Sequence, residues 1–434
     1  MALKTPKNKP RTDIKTVQLE IQSLGAKGDG IAIYNGEKTF VDGALPHEII
    51  DCAVDMGSQN PRRGTIKNIN APSPHRVEPP CPHYAQCGGC TMQHIDETAY
   101  QSWKFDTVKS ILAQKDALPN QWDDPIFIPP QTRRRATFKG IKNGKSLTLG
   151  YSQKQTHQIF NLKQCDVLHV DIVDLKTILA NRLNDIIPHK GKITLSMQKM
   201  DNGIDVVLIG SIGTKDEPDL RSLETIAELV QSTNIIRFSW AQSDKSPLQI
   251  LISEQSPIMQ FGKLNVEIAP LAFLQPSSLG QNSLVQTVMN YCPDTARHAA
   301  DLFCGFGTFT GALLDKIATV DAFEGESAAI QSLKNAGHHG ALTRDLFRNP
   351  LMADELAKYD AVIIDPPRAG ARTQFENLAK SNVNHIISIS CNPATFARDA
   401  VTLLDNGYIF ARATMIDQFI WTAHTEIIGL FVKA

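Results

Sequence analysis

The sequence predicts a multidomain α/β protein, and three observations carry that expectation. From about Pro276 to the end, short apolar runs (AADLF, TVDAF, AVIID and HIISIS) each lead through a turn into an amphipathic stretch, the alternation of a doubly wound sheet. From Val17 to Ile69 the texture is different: short β-runs punctuated by glycine, which predict a small barrel. Between these, residues 131–265 read as an α+β region with strand candidates such as SLTLGY, IDVVLIG and IIRFSW.

Length and composition agree. A chain of 434 residues holds two to four domains at roughly 100–200 residues each. With 42% apolar and 21% charged residues it has ample material for cores. Its 44 basic residues are balanced by 45 acidic ones, which excludes a uniformly basic coat but leaves room for a local basic patch. No apolar run approaches the roughly 18 residues of a membrane span, and the start, MALKTPKNKPRTDIK, lacks an apolar signal core. A soluble, cytoplasmic protein without a membrane partner is expected.

Taken in order, residues 1–15 read as a basic arm, with Lys4, Lys7, Lys9, Arg11 and Lys15 against Asp13. Residues 16–75 form the predicted barrel, closed by Ala71-Pro72-Ser73-Pro74, since prolines at this density interrupt regular structure. Cys81, Cys87 and Cys90 follow; such clustering in a large chain favours metal binding over a disulfide framework. Asp96 to Leu118 has a helical pattern, broken by Pro119 to Pro130. The central domain is expected to span 76–265. Its segment 125–165 holds eight Lys or Arg and no acid, including Arg133-Arg134-Arg135, and predicts a phosphate-binding face, the alternative being a merely solvated one. Residues 266–434 make the last domain.

That domain carries an ordered set of motifs. Asp301-Leu-Phe-Cys-Gly305-Phe-Gly307-Thr308-Phe follows a predicted strand and opens a helix, where glycines let backbone approach a ligand. The next strand ends in Glu324, placed to accept ribose hydroxyls, and Asp345 stands where an adenine amino group could be met. Asp365-Pro-Pro-Arg368 ends another strand. Gly-x-Gly-x-Phe with Asp-Pro-Pro favours S-adenosylmethionine over NAD. Cys391 lies where the strand HIISIS exits toward a helix, which would favour its thiolate; a nucleophile and a buried structural cysteine both remain open on position alone. Glu426 is either a solvated edge carboxylate or a general base. Cys52, Cys292 and Cys304 read as structural.

On these residues the chain resembles the RNA 5-methyluridine methyltransferase family, and most closely its iron–sulfur-containing 23S rRNA uracil-C5 type. The likeness runs from about residue 15 to the C-terminus. It rests on the cysteine cluster, Phe273-Leu-Gln275, the Asp301 and Asp365 motifs, Ser390-Cys-Asn-Pro-Ala-Thr-Phe-Ala-Arg-Asp399 and His424-Thr-Glu426. The resemblance implies a Rossmann-like class I methyltransferase domain, an OB-like TRAM barrel, and a small α+β central domain carrying an iron–sulfur site. It implies that Cys391 is the nucleophile and Glu426 the base, with Gln275, Phe303, Thr308, Glu324, Asp345 and Asp365 contacting S-adenosylmethionine. It implies that Cys81, Cys87, Cys90 and Cys165 hold a 4Fe–4S cluster, although four thiolates can also hold zinc. The expected partner is structured RNA, 23S rRNA first and tRNA as the nearest rival, and the expected state is a monomer. A non-catalytic RNA-binding assembly factor is the alternative of another class, against which intact Cys391 and Glu426 argue. Arg368 stands where RNA 5-methylcytosine enzymes carry a cysteine, which favours uracil. Departures from the family pattern are Ser277 in place of asparagine, Phe419-Ile420-Trp421 in place of Phe-Pro, and a short segment between Glu324 and Asp345.

Overall fold

The computed structural model describes residues 13–57, 61–154, 156, 158–214 and 217–434. Residues 1–12 of the expected basic arm lie outside them, and a strand, Ile14–Glu20, already includes Lys15. The chain divides into two compact units: one takes the N-terminal residues to Tyr84 with Gly89–Thr107 and Trp421–Ala423, the other Ala85–Gly88, Val108–Ile420 and His424–Ala434.

The first unit is built on six strands in the order Ile14–Glu20, Ile49–Asp55, Arg62–Ala71, Glu37–Val41, Gly30–Tyr34, Ser23–Leu24. Side chains alternate across a strand, so Ile50, Cys52 and Val54 point inward together and join Leu19, Ile21 and Val41 in the core. The last strand stops at Ala71, ahead of the proline run. That run is tied down. Fully buried Glu48 accepts from the backbone N–H groups of Leu45 (2.9 Å) and Ser73 (3.2 Å) and from Arg76 Nη2 (2.8 Å). These donors outweigh the burial that would raise its carboxyl, which stays below the usual range. The helix Glu97–Ala113 ends short of the predicted Leu118, because Asp116 turns the chain through a left-handed φ of 52°.

The second unit holds two large sheets. The seven-stranded one runs Ile159–Asn161, Ser146–Ser152, Arg135–Asn143, Lys192–Lys199, Ile204–Gly210, Ile235–Ala241, Gln249–Ser253. Helices Val170–Arg182 and Leu220–Ser232 cover one face, packing Ile172, Leu175, Leu179, Ile226 and Leu229 onto Phe138, Leu195 and Val206. The other sheet is the doubly wound one. Its order is Ala341–Thr343, Thr319–Glu324, His298–Leu302, Ala361–Ile364, His385–Ser390, Glu426–Lys433, Tyr408–Asp417. The first five are parallel, and Glu426–Lys433 inserts antiparallel between the fifth and Tyr408–Asp417. Two short strands, Gln121–Trp122 and Ile126–Phe127, pair along the Tyr408–Asp417 edge, where the sequence predicts only a proline-rich break. Among the described residues no helix is long and apolar enough to cross a membrane.

Candidate active site

Parallel strands in such a sheet deliver their next residues to one edge. Phe303 follows Leu302, Glu324 ends its strand, Asp365 follows Ile364, and Cys391 follows Ser390. The antiparallel strand begins at the same edge with Glu426. Backbone register then brings two of the expected residues together: Ser390 faces Ile427, so Cys391 and Glu426, each one residue outward, stand on neighbouring strands at the same level. A cavity of about 500 Å³ opens there. Its walls include Phe273, Gln275, Phe303, Gly305, Glu324, Asp345, Phe347, Asp365, Arg368, Cys391 and Glu426. Thr308 is not among the lining residues; it opens the short helix Thr308–Leu313 behind the glycine turn.

The turn itself is strained toward the cavity. Phe303 adopts φ 63°, an uncommon value for a side-chain-bearing residue. Gly307 takes φ 91°, and a Cβ there would stand 2.5 Å from Leu333 Cδ2. The Phe303 ring meets Phe347, centroids 5.2 Å apart, so two aromatic faces border the same space. Phe347 was not singled out by sequence; its only signal is that it follows Asp345 by two residues. Glu324 is aimed by backbone: it accepts from the N–H groups of Gly305 (3.1 Å), Gly325 (2.6 Å) and Glu326 (3.0 Å). Asp345 accepts from Phe347 N–H at 3.0 Å. Buried Asp301 takes the Thr310 hydroxyl at 2.6 Å and braces the turn from behind.

The loop bearing Cys391 is fixed by its neighbours. Asn392 caps the helix Pro393–Leu404 through Ala394 N–H (3.2 Å), and Pro393 sits at the first helical position, where no N–H is needed. Asn392 Nδ2 and the Thr395 hydroxyl each reach the Arg368 carbonyl at 3.3 Å, joining this loop to Asp365-Pro-Pro-Arg368. The expected helix-assisted thiolate is corrected by the surroundings. Burial, then the carboxyls of Glu426 and Asp365, push the Cys391 thiol up to about 11, and Arg368 only partly opposes them. Burial pushes Glu426 up to about 8, with Asp365 adding to it, and Asp365 itself up to about 7. Glu426 is not a solvated edge carboxylate: it is 5% exposed.

Gln418, which the sequence does not single out, and Arg134, expected on a phosphate-binding face, hold the site from behind. Gln418 Nε2 donates to Glu426 Oε1 (3.1 Å) and to Gln275 Oε1 (2.9 Å). Arg134, 2% exposed, donates to the Gln275 carbonyl (2.9 Å), Gln281 Oε1 (2.7 Å) and Ser278 Oγ (3.3 Å). Arg135 donates to the Leu274 carbonyl (3.0 Å) and lies over the Phe273 ring at 4.9 Å. Arg134 is therefore turned into the interior and Arg135 onto Phe273, whereas Arg133 is half-buried; the exposed cations of segment 125–165 are Lys139, Lys145, Lys154 and Lys163. Ser277 does a helix cap's work here, its hydroxyl accepting from Gly280 N–H at 3.3 Å. The other departure, Trp421, takes φ 58°, and its carbonyl accepts from the N–H groups of Thr91 (2.8 Å) and Met92 (3.1 Å).

Of the other cysteines, Cys52, Cys292 and Cys304 are buried, and burial raises all three thiols. Cys81, Cys87, Cys90 and Cys165 are half-buried. Among the described residues no group of three or more His, Cys, Asp or Glu side chains is gathered to hold a metal ion.

Residues 341–434 match the family model for tRNA (Uracil-5-)-methyltransferase, and residues 278–386 that for a methyltransferase small domain. An uncharacterized RNA methyltransferase of Brucella melitensis is 35% identical over 97% of this chain and 99% of its own length. The 23S rRNA (uracil(1939)-C(5))-methyltransferase RlmD of Vibrio vulnificus is 30% identical over 99% of each chain. In fold the chain is similar to the Pyrococcus abyssi tRNA (uracil-54, C5)-methyltransferase solved with S-adenosyl-L-homocysteine, with a TM-score of 0.73 at 19% identity, covering 96% of this chain and 99% of that one.

Proposed function

Because the chain belongs to the RNA uracil-5-methyltransferase family, we propose that this enzyme forms 5-methyluridine in structured RNA, 23S rRNA first, through a covalent Cys391 adduct. The observation that carries the proposal is the Ser390–Ile427 register, which sets a thiol and a buried carboxyl at one level of a cavity bordered by the cofactor residues.

The cavity's chemistry fits S-adenosylmethionine. Phe303 and Phe347 offer faces for adenine, Glu324 a backbone-aimed carboxylate for ribose hydroxyls, Asp345 an acceptor, and Gln275 an amide. When bound, S-adenosylmethionine supplies an electrophilic methyl group to carbon 5 of uracil. The chain's own residues make that carbon reactive. The Cys391 S–H proton passes to solvent as the sulfur bonds to carbon 6, and the electrons of the 5,6 double bond move toward the carbonyl at carbon 4. After methylation Glu426 takes the carbon 5 proton; that C–H pair rebuilds the double bond, and the C–S pair returns to sulfur. Asp365 orients the uracil edge.

The six-stranded first unit is proposed as a TRAM-like RNA-binding barrel, and Lys139, Lys145, Lys154 and Lys163 of the second unit are proposed as separate phosphate contacts. Cys81, Cys87, Cys90 and Cys165 are proposed as iron–sulfur ligands on their number and spacing, and no step of the reaction is assigned to them. Unmodified 23S rRNA and tRNA transcripts incubated with methyl-labelled S-adenosylmethionine test the substrate: 5-methyluridine is expected in the rRNA. Label confined to tRNA would make the tRNA reading correct, and label in neither would favour a non-catalytic role.

A further inference from the structure

Gln418 belongs to no motif identified in the sequence, yet its amide bridges two side chains that line the cavity, Gln275 and Glu426. It lies just past the Tyr408–Asp417 strand, 6% exposed. One Nε2 donates twice, to Glu426 Oε1 at 3.1 Å and to Gln275 Oε1 at 2.9 Å. A carboxylate can only accept, so an ionised Glu426 fixes which way the Gln418 amide points. Both N–H groups are then spent. Gln418 Oε1 is left buried without a hydrogen-bond partner, against Gly280 of the helix Ser278–Tyr291. Any Cβ at position 280 would stand 2.6 Å from that oxygen and 2.8 Å from Gln418 Cβ, so glycine makes the place in which this amide sits. An orphaned buried carbonyl costs stability, and it is kept where the amide's other end does something specific.

What that end does follows from its two partners. Gln275 spends its oxygen on Gln418, so its own Nε2 is the part left to donate toward an acceptor in the cavity it lines. Glu426 has one oxygen tethered and the other available to the reacting base. We propose that Gln418 is a positioning residue that couples the cofactor amide Gln275 to the base Glu426, holding the first as a donor and the second as an oriented carboxylate. The inference rests on the assignment of Glu426 as the base. The groups facing Glu426 are Asp365 from the Ala361–Ile364 strand end, with Arg368 on the same loop, Cys391 from the His385–Ser390 strand end, and Gln418. Of these, Gln418 is the one whose hydrogen bond favours the ionised base against burial and Asp365.

The test uses the full-length enzyme and unmodified rRNA and tRNA transcripts carrying tritium at carbon 5 of uridine, whose release reads proton removal. Gln418→Met keeps the volume and removes the donor. Release should slow roughly 10- to 100-fold, as loss of a hydrogen bond to a charged group implies. Methylated covalent adduct should accumulate, S-adenosylmethionine should bind more weakly, and the acid limb of the release profile should move to higher pH, because an untethered carboxyl holds its proton more tightly. A residue that only filled space would move none of these four together. Gln418→Glu, which sets a second carboxyl against the first, should move the acid limb the same way and serves if the methionine variant does not fold. Wild-type rates, profile and cofactor affinity in a folded variant would overturn the coupling. A wild type that releases no tritium from either RNA would overturn the proposed uracil-C5 reaction itself, and with it this inference.

Discussion

Arg134 Nε donates to the backbone carbonyl of Gln275 across 2.9 Å, so a buried cation just ahead of the strand Arg135–Asn143 holds a residue that lines the cavity. Its Nη2 is spent on Gln281, one helical turn along Ser278–Tyr291. Burial draws the guanidinium down only to about 10, so it stays charged at neutral pH. Arg134→Met should leave the Gln275 carbonyl and Gln281 amide oxygen unpaired in the interior. A loss of about 2–4 kcal/mol in urea unfolding is expected, together with weaker S-adenosylmethionine binding. An unchanged cofactor affinity in the folded variant would reduce Arg134 to a stability role.

The same residue marks the limit of what sequence displays. A run of three arginines reads as a phosphate face because composition carries charge and not burial; here the middle one points into the interior and its neighbour onto Phe273. Gln418 escaped for a related reason, since a single glutamine after a strand has no period or spacing to mark it. The strands Gln121–Trp122 and Ile126–Phe127 are two residues each, and only pairing with Tyr408–Asp417 makes them strands. By contrast the doubly wound sheet was legible, because each buried strand is a short apolar run ended by a chemically distinctive residue. Glu324, Asp365 and Cys391 could be named for that reason, while Gln275 could be named only by family resemblance, and all four line one cavity with Phe303, Asp345 and Glu426. Whether Cys391 sits in an activating setting was not legible. A helix start pointed one way, and burial together with two carboxyls from the flanking strands decides the other.

Those carboxyls give stability a pH dependence. Glu426 is raised from its ordinary 4.5 to about 8 by burial, and Asp301 and Asp365 from 3.8 to about 7. Each group's folded pKa lies above its unfolded one, so its contribution is fully present below about pH 4 and is lost as pH rises through 7–8. Glu426→Gln removes one of these protons. The variant should be more stable than wild type at pH 8.5 by up to about 4–5 kcal/mol, with the difference vanishing toward pH 4. Urea unfolding at several pH values checks this; parallel curves for the two proteins would mean Glu426 titrates normally.

The cysteines make a separate prediction. Protein purified without oxygen should be brown and hold about four irons per chain, as a four-thiolate 4Fe–4S site requires. Cys87→Ser should lose the colour and lower stability. Stoichiometric zinc without iron in such preparations would exclude the cluster.

The last prediction separates Cys391 from Glu426 by kind of failure. The target base must leave its stack before carbon 6 is exposed. Cys391 then acts first, so Cys391→Ala should methylate nothing and form no covalent RNA complex. Glu426 acts after methylation, so Glu426→Gln should still bond to the base and still accept the methyl group on it. Without a base the carbon 5 proton stays, the C–S bond cannot break, and a methylated protein–RNA adduct should survive denaturing electrophoresis. The glutamine keeps an oxygen for Gln418 to donate to, so the cavity's framework is retained in this variant. RNA carrying 5-fluorouridine should trap the wild type at the same stage, because fluorine cannot leave as a cation. If Cys391→Ala turns over, or Glu426→Gln is fully active with no adduct, the order of steps assigned to the two strand ends is wrong.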